Sequence, residues 1–95
     1  MIQFVWDEQK HQVNQKKHGI SFEEAQSVFL DEYARLLVDP DHSETEERYL
    51  ILGMSTKIRL LVVSHCYREN DHVIRLISAR SATHFEQQQY QRFQR

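Results

Sequence analysis

Two arginines, Arg59 and Arg80, stand at the outer ends of two predicted strands that flank a polar turn. If Tyr67 pairs with His72 around a four-residue loop, the hairpin register places Arg59 directly opposite Arg80. Like charges directly opposite each other on a sheet are unfavourable by a few tenths to ~1 kcal/mol. This register therefore suggests that an anion lies between the two guanidinium groups.

The chemistry that suits such a pair is phosphate handling. A guanidinium group stays charged and its planar donors bind phosphate in a bidentate way. When an RNA 2′-hydroxyl attacks the neighbouring phosphodiester, negative charge accumulates on the nonbridging oxygens, and fixed cations stabilise that state more than the ground state. The alternative is that each arginine pairs with an acid, such as Glu47 or Asp39.

Three further residues are candidates for chemistry. Glu47 directly precedes Arg48, which suggests either a base beside a phosphate clamp or solvated charge at a strand entry. In the predicted register His65 shares the face of Arg59 but lies about 20 Å away along the strand, which counts against joint action on one phosphorus atom. Cys66 follows His65, and strand neighbours point to opposite faces, so Cys66 is predicted to be a structural cysteine.

Lys16, Lys17 and His18 end the first predicted helix, where cations interact favourably with the helix dipole. A contact with an RNA backbone phosphate is the second interpretation of this cluster. The chain has only two glycines, which excludes a P-loop, and its six histidines and one cysteine lack zinc-ligand spacing. No metal or other cofactor is therefore expected.

The elements that position these residues follow the order β-α-α-β-β-β-β-α. Consecutive strands joined by short polar turns predict an antiparallel sheet with helices over one face, which is a small α+β domain. The predicted elements are a strand at 2–6, helices at 8–17 and from 22, strands at 33–38, 48–54, 58–67 and 72–79, and a C-terminal helix opening at 83 that carries Phe85, Tyr90 and Phe93.

Local signals mark the ends of these elements. Asp7 is a predicted helix N-cap and Gly19 a predicted left-handed C-terminus. Ser21 and Thr83 each precede a glutamate by three residues, the spacing of a capping box. A turn is predicted at 39–42 and an exposed loop at 42–48.

Length and charge bound the class of protein. Ninety-five residues form one domain, 1–95, and the formal net charge is −2. Residues 21–47 hold nine acids and one base, whereas residues 48–95 hold eight bases and three acids, an asymmetry that permits a local anion-binding face. A signal peptide and an apolar run of ~18 residues are both lacking, so a cytoplasmic location is expected.

Several motifs, taken in order, resemble the BrnT-type toxins of bacterial toxin–antitoxin pairs. The similarity extends from residue 3 to about 90 without large gaps. The motifs are Trp6-Asp7 with Lys10, Asn14-x-x-Lys17-His18-Gly19-Ile20-Ser21-Phe22-Glu23-Glu24-Ala25, Asp41-His42-Ser43-x-x-Glu46-Glu47-Arg48, Gly53-x-Ser55, Arg59-Leu-Leu-Val-Val and Ile77-Ser-Ala-Arg80-x-Ala82-Thr83.

This resemblance implies a RelE-like fold and a metal-independent endoribonuclease that halts translation. It also implies a cognate antitoxin that neutralises the toxin and binds operator DNA, so that the toxin contacts that DNA only through its partner. RNA is the implied substrate, and no membrane partner is implied. The alternative is a non-catalytic module that holds a partner protein by its sheet edge or helices.

The resemblance also implies which residues form the active site. Arg59 and Arg80 match the arginines of two family motifs, and Glu47 and Arg48 match a third. With His65 as a further acid/base candidate, these five residues are the expected catalytic set. Lys17, Lys57 and Tyr90 are expected to contact RNA.

Overall fold

A computed structural model of the chain describes residues 2–38 and 47–92. For Val38 it describes the backbone alone. Its elements are β1 (Gln3–Val5), α1 (Glu8–His18), α2 (Phe22–Ser27), a 3-10 turn (Val28–Leu30), β2 (Arg35–Val38), β3 (Tyr49–Met54), β4 (Leu60–Arg68), β5 (Val73–Ser81) and α3 (His84–Arg92). This order confirms the predicted α+β class. The predicted turn at 39–42, most of the loop at 42–48 and Phe93 lie outside the described residues.

The strands form one five-stranded sheet in the order β1-β5-β4-β3-β2. The four strands from β2 to β5 make the predicted antiparallel meander. β1 departs from the prediction, because it runs parallel to β5, with Gln3 opposite Val73. The long connection between β1 and β5 permits this parallel pairing, which a short turn could not make.

The predicted helix ends are confirmed. Asp7 accepts a hydrogen bond of 2.8 Å from the backbone N–H of Gln9, and Gly19 closes α1 with a φ of 69°. At the start of α3, the N–H of Glu86 donates to the Thr83 hydroxyl while the N–H of Thr83 donates to the Glu86 carboxylate. These ends depend on neighbours within three residues, which explains why the sequence alone predicts them.

The two faces of the sheet carry separate apolar clusters. On the face that we call the α2 face, Ile20 and the residues of α2 pack on Leu61, Val63 and Leu76. On the opposite α3 face, Tyr90 and Ala82 pack with Leu52 and Val62. The prediction that all helices cover one face is therefore wrong, because the continuous apolar run of β4 supplies side chains to both faces.

Gly53 of β3 allows the chain after α2 to approach the sheet closely. A Cβ atom at this position would lie 2.8 Å from Val28 Cγ1 and 3.0 Å from the Ala34 Cβ.

Across residues 2–38 and 47–92, no helix has the length and apolar character needed to cross a membrane.

Candidate functional site

The β4–β5 register separates the two arginines. The hairpin loop has four residues, but Arg68 rather than Tyr67 closes it by pairing with Val73. A bulge at Ile77 adds one further residue to β5, so Arg80 lies opposite Val62 on the α3 face. The predicted juxtaposition of Arg59 and Arg80 is therefore wrong, because a shift of one residue moves a side chain to the other face.

Arg59 lies instead on the α2 side, in an ion pair with the buried Glu24. Its Nε donates to Glu24 at 2.9 Å, and a terminal nitrogen donates to both the other Glu24 oxygen and the carbonyl of Gly19. Glu24 also accepts a 2.7 Å hydrogen bond from the hydroxyl of Ser55, and the contact with Arg59 lowers the pKa of Glu24. Arg59 thus joins α2 to the β3–β4 turn. Its acidic partner is Glu24, and not Glu47 or Asp39 as the alternative interpretation had suggested.

Arg80 is also held by an acid, in this case from α3. Its two terminal nitrogens donate to the Glu86 carboxylate at 2.8 and 3.0 Å. The hydrogen bonds from Arg80 lower the pKa of Glu86 to about 2. This bidentate pair fixes the first turn of α3 against β5.

The Glu86 titration is a direct test of this pair. We expect the side-chain carboxyl resonance of Glu86 to titrate with a midpoint near pH 2, and to move toward its ordinary value in Arg80→Gln. Because the folded-state pKa is below the unfolded value, the pair stabilises the fold above about pH 4.5 and loses this effect as the pH falls toward 2. A carboxyl NMR titration of both proteins measures this, and an unchanged midpoint in Arg80→Gln would contradict the pairing.

His65 lies in an aromatic cluster beneath the α2 face with 0% exposure. Its ring lies 4.8 Å from that of Phe29 and 5.3 Å from that of Tyr67, measured between ring centroids. Burial lowers the pKa of His65. His65 thus lies in the core, outside the basic groove, and its role as an acid or base stays a prediction.

Tyr90 is buried as well, and its hydroxyl donates a 2.5 Å hydrogen bond to Asp31. Burial by itself would raise the pKa of Asp31, but the hydrogen bonds from Tyr90 and the Met54 backbone lower it overall. Tyr90 therefore anchors α3 to the sheet, and its contact with RNA stays a prediction. Lys57 is exposed in the β3–β4 turn, and its contact with RNA stays a prediction.

A second group of predicted residues does converge, in a cavity of about 470 Å³ between α1 and the sheet. We call this cavity the basic groove. It brings Lys17 and Arg48 together, and its described lining contains no acidic residue. The lining residues are Gln9, Lys10, Val13, Asn14, Lys17, His18, Arg48, Ile77 and Ser78.

Asn14 is the residue that seats α1 beside the groove. Its side chain both donates to and accepts from the backbone of Ala79 at 3.0 Å, so α1 closes the part of the β5 edge that β1 leaves open. Lys10, Asn14 and Lys17 lie on one helical stripe because residues three and four apart are neighbours. The prediction did not include Lys10 or His18 among the site residues. Their helical spacing from Asn14 and Lys17 is the sequence signal that could have placed them in the groove.

The other wall of the groove comes from the α3 face of the sheet. Extending the β3–β4 ladder by one residue from Tyr49 places Arg48 opposite Cys66, which in turn pairs with Arg75. Ser78 and Arg80 follow along the same face of β5. Arg75 therefore adds a second arginine on this face beside Arg48, whereas the charge of Arg80 is compensated by Glu86.

Glu47 points away from the basic groove. Its carboxylate accepts a 2.8 Å hydrogen bond from the Tyr49 hydroxyl, which raises the pKa of Tyr49. Both residues line a separate pocket. The structure thus brings Lys17 and Arg48 together and leaves Arg59, His65, Tyr90 and Glu47 outside the groove.

These features define a small α+β protein with a cationic groove of the kind that binds phosphate-containing polymers. A family described as the ribonuclease toxin BrnT of type II toxin–antitoxin systems matches residues 6–86. The chain therefore belongs to the BrnT ribonuclease toxin family, which confirms the resemblance found in its motifs.

A solved structure supports the same assignment. The crystal structure of the Brucella abortus ribonuclease toxin BrnT is similar at 25% sequence identity and a TM-score of 0.65, over 87% of this chain and 99% of that chain. A comparison with curated proteins found no match.

Proposed function

We propose that this chain is an endoribonuclease that cleaves RNA in the basic groove without a metal ion, inhibits translation, and is neutralised by a cognate antitoxin. The observation that carries the proposal is the convergence of Lys10, Lys17, His18 and Arg48 on one groove whose described lining holds no acid. Membership of the BrnT family supports the reaction class and the partner.

The chemistry assigns Lys17 and Arg48 to the nonbridging oxygens of the scissile phosphate, where they stabilise the charge that develops during attack. The nucleophile is the 2′-hydroxyl of the RNA. Its oxygen bonds to phosphorus as the bond from phosphorus to the 5′ oxygen breaks, leaving a 2′,3′-cyclic phosphate and a 5′-hydroxyl. One proton leaves the 2′ oxygen and one reaches the 5′ oxygen.

His18 is the first candidate for this proton exchange because histidine is the side chain suited to it near neutral pH and His18 lines the groove. Glu47 faces the separate pocket in this structure, and a role in proton transfer would require its carboxylate to turn from Tyr49 toward Arg48. Arg80 lies two residues beyond Ser78 on the same face, roughly 7 Å along β5, where its guanidinium group is paired with Glu86.

The partner part of the proposal has its own structural support. β2 forms one edge of the described sheet, and Leu36 and Leu37 on it are 51% and 45% exposed. An edge strand with exposed apolar side chains can be extended by a strand from another chain. We therefore propose β2 as a contact for a strand of the antitoxin.

The activity test uses purified protein and a structured messenger RNA in EDTA. We expect cleavage with EDTA at a rate similar to that in Mg²⁺, and products that end in a 2′,3′-cyclic phosphate and a 5′-hydroxyl. End mapping by ligation with an RNA ligase that accepts only those ends provides the measurement. Cleavage that requires Mg²⁺ would contradict a metal-independent mechanism.

The cellular test compares induced growth with and without the product of the neighbouring open reading frame. We expect growth arrest that the neighbour relieves, with loss of protein synthesis preceding the arrest. A chain that binds the neighbour but cleaves no RNA would be a non-catalytic binding module.

A further inference from the structure

A second pocket of about 270 Å³ lies at the hairpin end of the sheet. Resting on the proposed function, we infer that it is a base-recognition subsite that accepts a guanine next to the scissile phosphate. Its lining combines two aromatic rings, two carboxylates and an arginine. The lining residues are Glu47, Tyr49, Cys66, Tyr67, Arg68 and Asp71.

The aromatic wall is held in place by the core beneath it. The rings of Tyr49 and Tyr67 meet edge to face with centroids 5.3 Å apart, and both side chains are only partly buried. The Tyr67 hydroxyl lies 3.3 Å from Nε2 of His65, which is itself buried against Phe29. Fixed, partly exposed rings are the surface on which an unstacked RNA base stacks.

The carboxylates give this pocket a base preference. One oxygen of Glu47 accepts the Tyr49 hydroxyl, so the carboxylate is oriented and its second oxygen keeps acceptor capacity. Asp71 supplies a second carboxylate to the same pocket. Guanine presents adjacent N1–H and N2–H donors on its Watson–Crick edge, which match a carboxylate, whereas adenine and uracil lack two adjacent donors there.

The position of Asp71 is set by an unusual turn. Glu69, Asn70 and Asp71 have φ values of 51°, 57° and 69°, so three consecutive non-glycine residues adopt the left-handed conformation. Asparagine and aspartate tolerate this conformation better than other residues with a Cβ atom, so the backbone strain of the turn falls mainly on Glu69. Here the turn brings its last residue to the wall of the pocket.

The subsite and the basic groove share one stretch of chain. Glu47 and Tyr49 line the pocket, while Arg48 between them lines the groove. Cys66 of the pocket also lies on the α3 face, beside Arg75. Arg48 and Cys66 lie on the α3 face, whereas Tyr49 and Tyr67 lie on the α2 face with His65. An RNA strand bound to Arg48 must therefore turn around the hairpin end of the sheet, so that the adjacent base enters the pocket.

The test measures binding of fluorescent 2′-O-methyl octanucleotides, which lack the attacking hydroxyl and so cannot be cleaved. Five octamers differ only at one central position, which is guanine, inosine, adenine, cytosine or uracil. We expect the guanine octamer to bind about tenfold more tightly than the adenine octamer, with inosine between them because it lacks the N2 donors. Fluorescence anisotropy at fixed salt provides the dissociation constants.

Variants assign the preference to the pocket. Glu47→Gln and Asp71→Asn are each expected to reduce the guanine preference to less than threefold. Glu69→Gln is the matched control, since it removes one acid from the same turn without altering the pocket lining, and it should keep the full preference. A guanine preference that survives both pocket substitutions would overturn the inference.

The failure of the subsite is distinguishable from that of the proposed function. Equal binding of all five octamers, still weakened by Lys17→Ala, would overturn the subsite and leave the groove intact. If no octamer binds and no RNA is cleaved, the proposed function fails and the subsite fails with it.

Discussion

Replacing Lys17 and Arg48 together by alanine is expected to reduce the rate of RNA cleavage by about 10²–10⁴-fold. The loss of one donor that stabilises developing charge typically costs about 10²–10³-fold, and two donors acting on one phosphate are not additive. The two side chains come from α1 and from the start of β3 and meet only in the basic groove. Initial cleavage rates of purified proteins in EDTA measure the effect.

Lys16→Ala is the matched control for this prediction. Lys16 precedes Lys17 in the last turn of α1 and carries the same charge, but it does not line the groove. We expect Lys16→Ala to retain activity within about threefold, because only a general electrostatic contribution is lost. Equal losses from Lys16→Ala and Lys17→Ala would show that net charge, and not the groove, governs cleavage.

Salt provides an independent readout of the same contacts. Each phosphate contact with single-stranded nucleic acid contributes about −0.7 to the slope of log K against log salt concentration. The Lys17→Ala, Arg48→Ala variant should therefore bind RNA with a slope shallower by about 1.4. An unchanged slope would contradict direct phosphate contacts by these two residues.

Glu24→Gln is expected to lower the free energy of unfolding by about 2–4 kcal/mol. Breaking a buried ion pair by removing one partner typically costs about 3–5 kcal/mol, and the effect here lies toward the low end because the Arg59 side chain is 41% exposed. Glu24 is almost fully buried and binds both Arg59 and Ser55, so the substitution weakens two contacts that join α2 to the β3–β4 turn. Urea unfolding at neutral pH measures the difference.

The same pair predicts a pH dependence. Because the pKa of Glu24 is lower in the folded state than the ordinary value of 4.5, the stabilising contribution of Glu24 is present above pH 4.5 and is lost as the pH falls through the folded-state pKa. The difference in stability between wild type and Glu24→Gln should therefore shrink on acidification. A difference that grows on acidification would contradict the ion pair.

A double-mutant cycle isolates the interaction energy of the pair. Glu24→Gln combined with Arg59→Gln should cost less than the sum of the two single substitutions, since neither partner is then left buried and charged alone. Strict additivity would indicate that Arg59 does not contribute through Glu24.

Much of the architecture was accessible from the sequence because it depends on local interactions. Asp7, Gly19, Ser21 and Thr83 mark helix ends through contacts with their near neighbours. The order of elements follows from such signals together with the apolar runs of the strands. Family motifs spread over most of the chain likewise identified the BrnT family without any coordinates.

The sequence also placed Lys17 and Arg48 among the site residues, but only by their motifs. Nothing in local sequence showed that the end of α1 and the start of β3 meet. That contact depends on Asn14, whose side chain bonds the backbone of Ala79, 65 residues away. The sequence around a single asparagine in a polar helix does not indicate that its side chain bonds a residue so far along the chain.

The fate of Arg59 and Arg80 shows most clearly what the tertiary structure decided. Their residue types and their place on a hairpin were evident from the sequence, but their separation was not. The loop closes one residue later than predicted, which shifts the strand pairing by two residues and leaves the faces unchanged. The bulge at Ile77 then adds one residue, so the two guanidinium groups lie on opposite faces. Strand side chains alternate with a period of two, and for this reason a register set by turn and bulge geometry determines which residues can share a site.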